Sequence, residues 1–214
     1  VDELKVTSYS NYQRHNGRPL LSIWGMSLND KGRPPADPKV AKELIEWFKS
    51  KAPDRYRVTY MGGVPACWRT LTVDSRREPE WAGVYAAMDV IQPWAVGRYG
   101  ALDAVDRWKK DMLIPDLKLA AENRQIYMPA IFPGFSWTNL KRNDRENQIP
   151  RLRGEFLWRQ AYNAKISGAK VLKIAMFDEV DEGTAIFKVA PHRQDAPDQG
   201  LLADIGCRRS GGSE

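Results

Sequence analysis

Five short apolar runs, separated by stretches of helical periodicity, constrain this chain more than any other feature of its sequence. Residues 20–24, 56–61, 89–94, 126–132 and 171–177 are rich in β-branched or aromatic side chains and read as buried strands. Between the first two, Asp37 can cap a helix with Pro38 at its first position, followed by apolar Val40, Leu44, Ile45, Trp47 and Phe48. Pro79-Glu80 opens a shorter helix through Tyr85 and Met88, and a third runs through Trp108, Met112, Leu117 and Ala121 with a break expected at Pro115. Phe156, Trp158, Tyr162 and Ile166 carry a fourth, which stops at Gly168. Strand, helix, strand, repeated without a hairpin signal, is the order of a parallel sheet with helical crossovers, either doubly wound or closed into a barrel.

The loops favour the barrel. Each strand is followed by a long segment rich in Gly, Pro and Trp, whereas the returns from helix to strand are shorter. Long βα loops gathered on one face are where a (β/α)8 TIM barrel builds its site. The expected class is therefore α/β of the (β/α)8 type, as one domain over residues 1–205 with a disordered Arg/Gly/Ser-rich tail at 206–214. A length of 214 residues with 43% apolar and 10% aromatic content can bury such a core. No apolar run approaches the roughly eighteen residues of a membrane span. The chain opens with neither Met nor a basic-then-apolar leader, so processing or truncation is expected to have removed what came before. Cys67 and Cys207 lie far apart and are expected to be free thiols. His15 and His192 show no ligand spacing, so neither a metal nor a cofactor is expected. The net charge of +6 is scattered, and its densest groups, Arg76-Arg77 and Arg151-Leu152-Arg153, are short. That pattern reads as a solvated basic surface, not a nucleic-acid footprint.

Two groups of residues carry possible chemistry. Trp47, Trp81, Trp108 and Trp158 fall on helices, where packing on the sheet explains them, but Trp24, Trp68, Trp94 and Trp137 fall at or just after the ends of four strands. Core packing could account for any single one. In equivalent places on four units they are expected to converge on one mouth, with Arg69, Asp74, Arg98, Tyr99 and Asn139 nearby. Flat apolar faces beside hydrogen-bonding edges suit a sugar ring. Residues 137–150 read as a lid-like loop. After the last strand come Asp178, Glu179, Asp181 and Glu182, followed by Gly183, which allows a sharp bend. Carboxylates three apart in a turn can face one pocket, and like charges there raise each other's pKa. An acidic solvated loop and a cation site are the alternatives.

The segment FDEVDEGTAI at 177–186 resembles the carboxylate motif of glycoside hydrolase family 99, the endo-α-mannosidases, which reads asparagine, glutamate, tryptophan, histidine, glutamate, glycine, threonine. IWG at 23–25, GGVPACWRTL at 62–71, QPWAVGRY at 92–99 and FPGFSW at 132–137 extend a likeness to family 71/99-like glycosidases over residues 1–191. The resemblance implies a retaining hydrolase acting on an α-linked oligo- or polysaccharide, secreted or periplasmic. Glu179 matches the glutamate that works through the sugar 2-hydroxyl, and Glu182 matches the general acid/base. Trp24, Trp68, Arg69, Trp94, Arg98, Tyr99, Trp137, Asp178 and Asp181 are the expected substrate-binding wall. Asp178, Val180 and Asp181 depart from the motif's asparagine, tryptophan and histidine, so mannose specificity is not carried over. The family barrel has eight strands and the five here look like the fourth to the eighth. The chain therefore reads as a fragment, with three strands to come from a missing N-terminal segment or another chain. Competing readings are a carbohydrate-binding protein on a degenerate hydrolase barrel, which would need the tryptophans but not Glu182, and a phosphate- or nucleic-acid-binding α/β protein, which lacks a Gly-rich phosphate loop.

Overall fold

The structure, a computed structural model, describes residues 2–29, 36–138, 140–141 and 147–187. Asn139, His192, Cys207 and the expected tail lie outside them. In chain order the regular elements are β1 (Arg14–His15), β2 (Arg18–Trp24), α1 (Pro38–Glu46), β3 (Thr59–Pro65), α2 (Glu80–Ala86), β4 (Val90–Trp94), α3 (Leu102–Trp108), α4 (Ile114–Glu122), β5 (Ile126–Tyr127), β6 (Ala130–Ile131), α5 (Glu155–Ile166) and β7 (Lys173–Ile174). The chain forms a mixed α/β fold divided into two compact units, Val1–Trp94 with Asp116–Met128, and Ala95–Pro115 with Pro129–Glu214.

The first unit is built on a five-stranded sheet of order β1-β2-β3-β4-β5, in which β2 to β5 run parallel. Every residue of β3 is buried, whereas β2 is only partly covered. The second apolar run thus begins later than its composition suggests, at Thr59, and extends through Gly62 and Gly63, which look like a strand end. A Cβ on Gly62 would lie 2.0 Å from Met88 Sδ, and one on Gly63 would lie 1.7 Å from Trp24 Cδ1. The two glycines therefore continue the strand because bulky neighbours press on its two faces. Against the sequence reading, there is a hairpin. Asn16 (φ 49°) and Gly17 (φ 78°) turn β1 antiparallel onto β2, the Asn-Gly signature of a two-residue turn with positive φ at both positions.

Local signals place the helices well. Asp37 accepts a hydrogen bond from the Lys39 amide at 2.8 Å and Pro38 takes the first helical position of α1. Trp81, Val84 and Tyr85 are the buried face of α2, and Gln125 closes its end by donating to the carbonyls of Tyr85 and Met88. The third helical stretch is interrupted where expected. A π turn over Lys109–Leu113 separates α3 from α4, next to Pro115, which has no N–H to offer the Asp111 carbonyl.

In the second unit β6 pairs parallel with β7, Ala130 opposite Lys173 and Ile131 opposite Ile174. The apolar runs at 126–132 and 171–177 thus yield shorter strands than expected, because Pro129 interrupts one and the chain leaves β7 at Ala175. Phe132 continues beyond β6 without a strand partner. Gln160 of α5 takes that place, accepting from the Phe132 amide at 3.1 Å and donating to its carbonyl at 2.8 Å. Phe132, Phe156 and Tyr99 form the aromatic core around it, with ring centroids 5.2 to 6.1 Å apart. The helix ends as expected at Gly168, where Gly168 N–H reaches Lys165 O and Ala169 N–H reaches Ala164 O. Its other face is bare: Trp158 is 73% exposed, and Tyr162 and Ile166 are also exposed.

Candidate active site

The carboxylates stand on a closed loop of the second unit. After β7 the chain leaves as Met176-Phe177 and returns as Thr184 to Phe187, tied by Met176 N to Thr184 O (3.1 Å), Ile186 N to Met176 O (3.0 Å) and Phe187 N to Phe177 O (2.9 Å). Between the ties sits a tight turn. One oxygen of Glu179 accepts the amides of Asp181 (2.8 Å) and Glu182 (3.1 Å), and Gly183 N–H closes onto Val180 O. Glu179 thereby fixes the turn that presents Glu182, as a capping side chain fixes a helix start.

Burial raises the pKa of Glu182, and the charges of Glu179 and Asp181 raise it further. The combined effect keeps a proton on Glu182 to higher pH than on a solvated glutamate. Asp178 and Asp181 are exposed, while Glu179 and Glu182 are half-buried. Trp137 belongs to the same unit. It is half-buried, held by its amide on Gln148 Oε1 (2.9 Å), edge-on to Phe135 at 5.0 Å, and covered on one ring face by Lys141 Nζ at 4.3 Å. The lid-like loop is closed at its base by a Phe135–Ile149 bridge. Arg98 is exposed. Tyr99 lies in the aromatic core with its hydroxyl on Gln160 Oε1 (3.0 Å), and burial pushes its pKa up.

In the first unit, Trp24 and Trp94 are the last residues of the parallel strands β2 and β4, and their rings meet at that end. Their rings are 5.8 Å apart and edge-to-face, and Trp24 is 43% exposed. Such a pair offers an indole face to a ligand. Trp68 is placed differently, 2% exposed with its indole N–H on Asp116 Oδ2 at 3.1 Å. Arg69 Nε donates to the other oxygen of Asp116 at 2.6 Å, and Tyr127 adds its hydroxyl at 3.1 Å. Burial pushes the pKa of Asp116 up, while these three donors pull it back. Asp74 holds the start of the same segment, accepting the amides of Ala66 (2.9 Å) and Cys67 (3.0 Å). The GGVPACWRTL block is therefore the last four residues of β3 followed by a loop in which Asp74 holds Ala66 and Cys67, and Asp116 holds Trp68 and Arg69.

Three contributors escape the sequence reading. Asp116 looks like a helix-surface charge, Gln160 like an ordinary polar residue, and Arg151 like part of a solvated basic cluster. Arg151 instead donates to the carbonyls of Gly183 and Ala185. The available signal for Asp116 was its position between the apolar Ile114 and Leu117 of a helix.

No protein-family model and no curated protein matches the sequence. Solved structures do match. A GH99 endo-alpha-mannosidase from Bacteroides thetaiotaomicron is similar at a TM-score of 0.59 and 18% identity over 85% of this chain and 48% of that one. The same enzyme bound to bis-tris-propane gives 0.56 and 20%, over 81% and 48%. A glycoside hydrolase-like protein gives 0.58 and 16%, over 85% and 50%. The chain spans about half the length of these structures. At these identities the likeness is one of fold, and it falls on the family the motifs resemble.

Proposed function

We propose that this chain carries the catalytic carboxylates of a glycoside hydrolase that cleaves an α-linked glycan with retention. The observation that carries the reading is the turn after β7, where Glu179 and Asp181 crowd a half-buried Glu182. In this scheme Glu179 takes the proton of the sugar 2-hydroxyl, whose oxygen attacks the anomeric carbon while Glu182 delivers its proton to the departing oxygen. The bond to the leaving group breaks and an anhydro sugar remains. Glu182 then takes a proton from water, the water oxygen opens the strained ring, and Glu179 returns its proton to the 2-oxygen. Two inversions at one carbon give net retention. The Trp24–Trp94 pair, with Trp24 exposed, supports a carbohydrate ligand, and the departures at Asp178, Val180 and Asp181 leave the sugar open. Such a substrate is met in the periplasm or outside the cell.

The scheme includes further β/α units, on this polypeptide or another, that complete an eight-stranded barrel. The incomplete cover of β2 and the bare faces of α1 (Val40, Leu44) and α5 (Trp158, Tyr162) support this part. Co-expression with a segment supplying those units gives the protein to assay. Glu182→Gln should lower turnover of an unactivated α-glycan by on the order of 10²–10⁴-fold and that of an aryl glycoside much less, because a good leaving group needs little protonation. A 2-deoxy glycoside should be inert. Release of the inverted anomer, or normal turnover of the 2-deoxy substrate, would overturn the assigned roles. The same tryptophan pair also suits a carbohydrate-binding protein without catalysis. That reading predicts glycan binding unchanged by Glu182→Gln and no hydrolysis by the wild type.

A further inference from the structure

Arg151 follows the lid-like loop and lies half-buried against the carboxylate turn. Its Nη2 donates to Gly183 O at 2.8 Å and to Ala185 O at 2.7 Å, bracketing the buried Thr184. One residue earlier, the carbonyl of Glu182 itself accepts the amide of Ser136 at 2.8 Å. Three holds, at Glu182, Gly183 and Ala185, thus fix this stretch of main chain. Access for Arg151 depends on Gly134, where a Cβ would stand 2.8 Å from both Arg151 Cγ and the Ile149 carbonyl oxygen. Among the described residues the acceptors of Arg151 are carbonyls, and burial lowers its pKa. Desolvating a guanidinium costs free energy, and here its two hydrogen bonds to main-chain carbonyls offset part of that cost.

We propose that Arg151 is a positioning residue for Glu182, acting through the main chain of the turn and not through its charge, with Gly134 as the residue that admits it. The proposal rests on reading Glu182 as the general acid. The two modes of action predict opposite signs. Releasing the turn hydrates Glu182 and moves it away from Glu179, so its pKa falls toward that of a free glutamate. Removing a nearby positive charge from an unmoved turn would raise it.

The test is titration of the Glu182 carboxyl by NMR in the full chain labelled with ¹³C-glutamate, for wild type, Arg151→Met, Arg151→Lys and Gly134→Ala. The Glu182 signal is identified from its loss in Glu182→Gln. We expect the Glu182 pKa to fall in Arg151→Met and Gly134→Ala and less in Arg151→Lys, whose ammonium can keep one carbonyl. Guanidinium ion added to Arg151→Ala should raise it again. Should Arg151→Met not fold, Arg151→Lys keeps the charge but loses the planar fork, so the fall in its Glu182 pKa remains readable. A pKa that rises or stays in place overturns the proposal. In the completed enzyme, Arg151→Met should lower kcat on poor leaving groups by on the order of 100-fold with KM little changed. If instead Glu182→Gln leaves hydrolysis intact while the titration still shifts, the positioning stands and the catalytic reading fails.

Discussion

At the scale of single residues, two aspartates show how one side chain takes opposite roles. Asp181 is exposed and acts on Glu182 through space. Because its charge raises the Glu182 pKa, Asp181→Asn should lower it. Under the proposed mechanism, the basic limb of the pH–kcat/KM profile of the completed enzyme, set by loss of the Glu182 proton, then moves to lower pH. A profile recorded on wild type and variant checks this. Asp116 is 1% exposed and gathers three donors, from Arg69, Trp68 and Tyr127. Asp116→Asn would leave Arg69 facing a neutral amide and place an NH₂ among donors. We expect a loss of roughly 2–3 kcal/mol in urea unfolding, at the low end for a broken buried pair because Arg69 can turn its charge toward water. Trp68 fluorescence should shift in the same variant, since its indole N–H loses the carboxylate.

At the scale of elements, α3 and α5 are joined in the second unit by Asp106, which accepts from Arg159 Nε and Asn163 Nδ2, both at 2.9 Å. These partners, Arg159 first, hold the Asp106 pKa down at about 2. A depressed carboxylate contributes stability above its unfolded pKa, near 4, and loses it as pH falls through its folded value. The unfolding midpoint of the wild type should therefore drop between about pH 4 and 2 more steeply than that of Asp106→Asn. Parallel slopes would show that the contact is too well solvated to matter. The elements themselves were largely legible in the sequence. Asp37-Pro38 and Gly168 are local signals that depend on a few neighbouring dihedrals. The hairpin at Asn16-Gly17 was equally local, and it was missed because it lies before the alternating pattern begins. Gly62-Gly63 misled in the other direction, because a strand interior that accepts glycine does so only for neighbours distant in sequence.

On the scale of the whole molecule, both units carry apolar side chains that nothing described covers. No helix among the described residues is long and apolar enough to cross a membrane. An apolar dye should bind the chain, and Trp158→Glu with Tyr162→Lys should weaken that binding without lowering the melting temperature, since these positions contribute little to the core. A fall in melting temperature would mean that the α5 face is packed in solution. The sequence by itself determined the alternation of strand and helix, the ends of most helices and the crowding of carboxylates in one turn, because each is written in the periodicity or charge of adjacent residues. Only the tertiary structure decided which tryptophans keep an open face, that Asp116 is buried, and that Arg151 points at the carboxylate turn. Trp68 and Asp116 are 48 residues apart, Arg151 and Gly183 are 32 apart. Whether a charge at such a position meets water or a stranded carbonyl depends on which distant segment is packed against it, and no local pattern encodes that.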